Sequence, residues 1–182
     1  MRSLEPQMTQ GPRLDIFQCV ARVPGAHLRG IERMTGLPLG QVLYHLDRLE
    51  RMGLLVSTRD WGFRRYFVAR DVDRREKKLL GALRHDVPRR IAVALLERPG
   101  QTHKELQTLA GVAGSTLSFH LQRLLATGVL ERERAGASHV YRLADPALLR
   151  HELIYYRESF ADPEVDRFVR DVLLAAPEEI PS

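Results

Sequence analysis

The 182-residue sequence holds one cysteine, Cys19, one tryptophan, Trp61, and only three lysines, Lys77, Lys78 and Lys104, among its 28 basic residues. Each scarcity excludes something. A lone cysteine excludes an internal disulfide framework and a thiolate zinc cluster, and it suits a reducing cytoplasm. No apolar run approaches the roughly 18–20 residues that cross a bilayer, and the opening "MRSLEPQMTQGPR" has no apolar segment of the kind a secretory signal needs. Glycine-rich phosphate loops, nucleophile elbows and metal-binding helices are missing as well. Ser118 and His120 stand two residues apart on an expected helix and face different ways, so they form no nucleophile–base pair. The seven histidines include no i, i+4 pair at metal spacing. The expectation is a cytoplasmic, nucleoid-associated protein that is not an enzyme and carries no metal or cofactor.

What is present is basic. The formal charge is +5 and the sequence pI near 9.8. Residues 1–75 carry +5, residues 76–145 carry +4 and residues 146–182 carry −4. A basic body with an acidic tail suggests a polyanionic partner, because neutralising phosphates releases their counterions. An arginine bias inherited from codon usage gives the same total, so charge alone does not decide.

The strongest signal is an internal duplication. "YHLDRLERMGLL", Tyr44 to Leu55, returns 75 residues later as "FHLQRLLATGVL", Phe119 to Leu130. The same offset maps Ile16 to Ile91, Pro24-Gly25 to Pro99-Gly100, Gly36 to Gly111, Gly53 to Gly128 and Tyr66 to Tyr141. No residue is gained or lost across this span, so the copies should share one backbone. In the second copy Asp86 is placed to cap a helix with Pro88 near its first turn, and "RRIAVALLER" runs to "PG". Thr102 and Glu105 have capping-box spacing for a second helix that Gly111 ends. The third helix, "STLSFHLQRLLAT", closes at Gly128. "VLERER" and "HVYRLA" then read as a β-hairpin, matched in the first copy by "LLVSTR" and "RRYFVA". Helix, helix-turn-helix and hairpin make the winged-helix plan. The fold class is mainly α with small β-hairpins (α+β): a winged-helix domain over 1–72, a charged and partly helical linker over 73–87, a second winged-helix domain over 88–145, and a C-terminal helical segment over 146–182.

On each third helix, Val42, Leu46 and Leu49, or Leu117, Leu121 and Leu124, fall on one stripe that should pack inward. Gln41, Tyr44, His45 and Arg48 occupy another face, with counterparts Thr116, Phe119, His120 and Arg123. Such groups suit a major groove, where arginine forks onto guanine, glutamine onto adenine, and apolar atoms meet a thymine methyl. Gly40 and Ser115, near the helix starts, bring backbone amides to where a phosphate can dock. A plainer reading stays open, with His45 and His120 half-buried and Tyr44 and Phe119 extending the core. The hairpins add Arg59, Arg64 and Arg65 around an exposed Trp61, and Arg132, Arg134, His139 and Arg142, a set able to lie along phosphates or enter the minor groove. Glu131 and Glu133 interleave the second set, which leaves a solvated hairpin as the alternative.

The stretch "GSTLSFHLQRLLATGVLERERAGASHVYRL" resembles the helix-turn-helix and wing of ArsR-type winged-helix regulators, through Ser118, His120, Leu121, Leu124, Gly128 and Tyr141. The first copy resembles it too, although Leu43 replaces the serine. Over about residues 12–145 the chain is similar to tandem winged-helix regulators, ArsR- or MarR-like, of the archaeal type. The resemblance implies a transcriptional regulator, more often a repressor, that binds double-stranded DNA. The family's metal-sensing Cys-x-Cys pair is missing, and Cys19 aligns with Ala94 on a helix that must bury one face.

Near the end, Val165, Phe168, Val169, Val172 and Leu173 make an apolar stripe. It either packs back on the chain or pairs with a second one, and pairing as a homodimer is the expectation. Within one chain, the two third helices, Gln41 to Arg48 and Thr116 to Arg123, are expected to read major grooves about one turn, ~34 Å, apart. A protein-interaction scaffold is the rival, and a chain with one DNA-reading and one ligand- or partner-binding domain is a third possibility.

Overall fold

The computed structural model describes residues 11–69 and 72–175, with side chains as far as Asp171. By their contacts the residues fall into two compact units, Met1–Arg84 and His85–Ser182. The first unit runs α1 (Pro12–Arg22), β1 (Ala26–His27), α2 (Leu28–Thr35), α3 (Leu39–Arg51), β2 (Leu55–Asp60), β3 (Phe63–Val68) and α4 (Arg74–Leu83). The second runs α5 (Asp86–Glu97), β4 (Gln101–Thr102), α6 (His103–Ala110), α7 (Gly114–Thr127), β5 (Leu130–Ala135) and β6 (Ser138–Leu143). It continues through α8 (Pro146–Tyr155), α9 (Arg157–Phe160) and α10 (Pro163–Ala175). The fold is mainly helical with two small antiparallel sheets, ordered β1-β3-β2 and β4-β6-β5.

The pairing keeps one register in both units. Ala26 lies opposite Tyr66 and Leu55 opposite Val68 in the first, and Gln101 opposite Tyr141 and Leu130 opposite Leu143 in the second. The two-residue strands β1 and β4 are the part that periodicity could not show, since two residues carry no alternation. They tie the start of α2 and α6 to the returning strand of each hairpin, which fixes the helix-turn-helix against its sheet.

Core packing follows the expected stripes. Ile16, Val20, Ile31, Val42, Leu46, Leu49 and Leu55 form the first core, and Ile91, Leu95, Leu106, Leu117, Leu121 and Leu124 are buried in the second unit. Each buried leucine contributes about 1.5–3 kcal/mol in removing apolar surface from water. Gly36 and Gly111 close α2 and α6 at φ +68° and +62°, a conformation that costs a side chain but not glycine. The Thr102–Glu105 capping box is in place on α6. Asp86, by contrast, does not cap α5. It is the first helical residue, and its carboxylate pairs with Arg89 and Arg90 one turn on.

Two expectations about organisation change. The charged segment after the first hairpin is not a linker: it folds as α4, capped by Asp73 and Glu76, within the first unit. Its Leu79, Leu80, Ala82 and Leu83 are buried. Gly81 lies so close to the hairpin that a Cβ there would sit 3.1 Å from Asp60 Oδ2. The stripe on α10 is not a free dimer face either. Val165, Phe168 and Val169 are buried within the chain, where α10 packs on α5 and α8. Arg89 Nε reaches Asp162 just before α10 and helps hold that helix in place. The side chains of Val172 and Leu173 lie outside the described residues. Among the described residues no helix is long and apolar enough to cross a membrane.

Candidate nucleic-acid interface

The third helix of each unit packs through one face and presents the other. Val42, Leu46 and Leu49 bury one side of α3, and Leu117, Leu121 and Leu124 bury one side of α7. A helix repeats every 3.6 residues, so the residues between them must emerge elsewhere. Gln41, Tyr44 and Arg48 are exposed on α3, Tyr44 by 57%. Ser115, Thr116 and Phe119 are exposed on α7, Phe119 by 53%. Tyr44 and Phe119 therefore do not extend the cores. The Arg123 guanidinium lies 5.6 Å from the Phe119 ring centroid, a cation–π contact that steers the cation along the helix face.

His45 and His120 are half-buried, and each packs edge-on against the aromatic residue before it. Burial first, then the nearby Arg13 and Arg48, hold the His45 pKa below its ordinary 6.5. Burial and Arg123 do the same for His120. Both rings are thus neutral at neutral pH and do not count among the cations of this surface. Ser118 leaves the exposed face altogether: its Oγ lies 2.9 Å from His103 Nε2 at the start of α6. That hydrogen bond joins the two helices of the motif. At the equivalent positions the first unit has Leu28 and Leu43, and Leu43 is 47% exposed.

The hairpins differ from the expectation more than the helices do. Trp61 is only 7% exposed, so it is not a surface ring. Its backbone sits at φ +52°, beside Gly62 at +80°, in the two-residue turn between β2 and β3. Such primed turns match the twist of paired strands and normally use Asn or Gly. A bulky residue there costs about 1–2 kcal/mol, offset here by burial and by the bond from the Trp61 N–H to Asp60 Oδ1 at 2.9 Å. Arg65 is not a wing cation either. It is 2% exposed and donates to the Gly25 carbonyl at 2.8 Å. Arg64 is exposed but engaged, with Nη2 2.8 Å from Glu50 Oε2 and Nε 2.8 Å from Ser57 Oγ. Arg59 is exposed. In the second hairpin every residue from Glu131 to His139 is exposed, as is Arg142, which pairs with Glu133 at 3.0 Å.

Glu50 and His103 belong with these surfaces although sequence reasoning passed over them. The signal was available as mismatch between copies, because Glu50 stands where the second unit has Leu125 and His103 where the first has Leu28. Cys19 is 3% exposed, and burial raises its thiol pKa, as for a packed side chain. Among the described residues no cluster of three His, Cys, Asp or Glu side chains is placed to hold a metal ion.

Comparison with known proteins agrees with this architecture. Residues 10–80 match a family described as an N-terminal HTH domain. That range takes in α1 through most of α4, so the first unit carries a helix-turn-helix domain. The chain is also 26% identical over 148 residues to a protein of Methanocaldococcus jannaschii named as an uncharacterized HTH-type transcriptional regulator. The aligned region is 81% of this chain and 37% of that protein, so the chain spans well under half the length of the curated relative it matches.

Proposed function

We propose that the chain is a DNA-binding transcriptional regulator, most simply a repressor, that reads duplex DNA with α3 and α7 as two recognition helices. One observation carries the reading. At positions 75 residues apart, both helices bury leucines on one side and present a hydrogen-bonding residue, an exposed ring and an arginine on another (Gln41, Tyr44, Arg48; Thr116, Phe119, Arg123). A helix so divided fits a major groove, where the arginine meets guanine and the ring meets a thymine methyl. The net positive charge of both halves of the body supports a phosphate partner. Two readers in one covalent chain do what a symmetric dimer does, but with two unlike faces, so the preferred site need not be a perfect palindrome. ArsR- or MarR-like ancestry for both units is part of the same reading.

The test is binding of the full chain to random-sequence duplex DNA over a range of salt, followed by selection of the tightest binders. A steep loss of affinity with salt and a recovered motif with two unlike half-sites are expected. Weak, salt-insensitive binding with no enriched motif defeats the proposal and favours a protein scaffold. One observation favours a partner-binding first unit: Leu43 and Tyr44 are exposed side by side where the second unit holds the tied Ser118 and the cation-covered Phe119.

A further inference from the structure

Resting on that DNA-binding reading, we infer that the two hairpins are unequal wings: the second grips duplex phosphate, and Glu50 keeps the first out of that role. Residues directly opposite in an antiparallel pair project from the same face. In β5–β6, Arg132 lies opposite Tyr141 and Arg134 opposite His139, whereas Glu131 lies opposite Arg142 and Glu133 opposite Val140. The acids that interleave the arginines in sequence therefore all point the other way. One face carries Arg132, Arg134 and His139 with no carboxylate, and the opposite face neutralises itself through the Arg142–Glu133 pair. The Arg132 and His139 side chains make no hydrogen bond or ion pair among the described residues, and Arg134 Nε touches only the Gly136 carbonyl at 3.3 Å.

The first hairpin places Ser57, Arg59 and Arg64 at the same three positions. Here the face is occupied. Arg64 Nη2 lies 3.0 and 2.8 Å from the two carboxylate oxygens of Glu50, and Ser57 Oγ, which accepts from Arg64 Nε, donates to Glu50 Oε1 at 2.6 Å. The guanidinium also lies 5.5 Å from the Tyr66 ring centroid. The Glu50 side chain is 21% exposed, so its charge is less screened than in an open surface pair. Because Glu50 belongs to α3, this face of the hairpin looks toward the third helix. The shared register then puts Arg132, Arg134 and His139 on the α7 side of the second hairpin. On the first hairpin's other face Arg65 is buried, and α4 approaches through Gly81. Phosphate contact requires a cation with no competing anion, since the binding gain comes from displaced counterions. The second wing meets that requirement with two arginines and the first only with Arg59.

Paired variants of the full chain test this on a random-sequence duplex at several salt concentrations. Arg132→Ala with Arg134→Ala is expected to weaken binding roughly tenfold or more and to lower the salt slope by about two. Arg59→Ala with Arg64→Ala is expected to change affinity less than about threefold and the slope by about one at most. Glu50→Leu, the residue of the second unit, is expected to tighten binding and steepen the slope by releasing Arg64. Equal losses from the two wings, or no tightening on Glu50→Leu, overturn the inference while leaving DNA binding intact. If the unmodified chain shows no salt-dependent binding, the functional reading falls and the wing assignment falls with it.

Discussion

The two units share their interiors and differ at their edges. Val42 and Leu117, Leu46 and Leu121, Leu49 and Leu124, and Tyr66 and Tyr141 are equivalent pairs, and all are buried. The differences gather at two places. At the start of the second helix, the first unit caps with His27, whose Nδ1 accepts the Gly30 N–H at 2.9 Å, and the second with Thr102 and Glu105. Around the hairpin, Glu50, Arg65 and Trp61 stand where the second unit has Leu125, Val140 and Gly136. The lesson is about selection on one scaffold. Core positions tolerate little change because a lost methylene leaves a void, whereas caps and hairpin faces alter what a domain presents without altering its fold.

The largest expected effects probe the shared interior. Leu46→Ala and Leu121→Ala should each destabilise their unit by about 2–5 kcal/mol, read as a loss of midpoint in chemical denaturation. Equal losses are expected from equal burial at 1% and 2% exposure. A loss confined to one variant would show that the repeated cores are not mechanically equivalent. The recognition helices come next. Arg48→Ala and Arg123→Ala should each cost about 1–3 kcal/mol of discrimination at one base of the selected site. A loss from Arg123→Ala alone would make the first unit a partner-binding domain and break the symmetry of the proposed readers.

The caps give smaller effects. Thr102→Ala should destabilise the second unit by about 1 kcal/mol, because the Glu105 amide at the start of α6 loses its side-chain partner and the Glu105 carboxylate loses the Thr102 hydroxyl. Acid separates the two caps further. Burial holds the His27 pKa below its ordinary 6.5, with the Gly30 amide donating to Nδ1 and Arg65 and Arg33 also nearby. The unfolded chain therefore binds this proton more readily than the folded one, so stability from His27 is full above pH 6.5 and falls as the pH drops below it. The Glu105 pKa lies below its ordinary 4.5 because the Thr102 backbone N–H and hydroxyl bond its carboxylate. Its contribution is present above pH 4.5 and lost only as the pH falls through the lower folded value. Amide chemical shifts should follow suit, with Gly30 moving at a higher pH than Thr102. Simultaneous movement would show that the His27 cap does not depend on a neutral ring.

Much of this is legible in the sequence. The three-helix order, the capping box at Thr102, the glycine stops at Gly111 and Gly128, and the inward leucine stripes all follow from local spacing, which dictates them through hydrogen-bond geometry and periodicity. Residue type places a tryptophan at a turn and an arginine on a strand at the surface, yet Trp61 and Arg65 are buried. Arg65 is held by the Gly25 carbonyl forty residues away, with α4 approaching its side chain at Gly81, and local spacing carries no trace of either. The α10 stripe is legible as a stripe, but its partner is not, since amphipathicity demands a cover without naming it. Here α5 and α8 cover it.

By itself the sequence determined the duplication, the order of helices and hairpins, and which side of each third helix turns inward, because these depend on contacts between near neighbours. Only the tertiary structure decided which arginines remain available. A guanidinium carries the same charge whether it meets water, a carbonyl or a carboxylate. What separates Arg132 and Arg134 from Arg64 and Arg65 is the register of the hairpin, the reach of Glu50 from α3 and the approach of α4, and these arise only when distant segments pack.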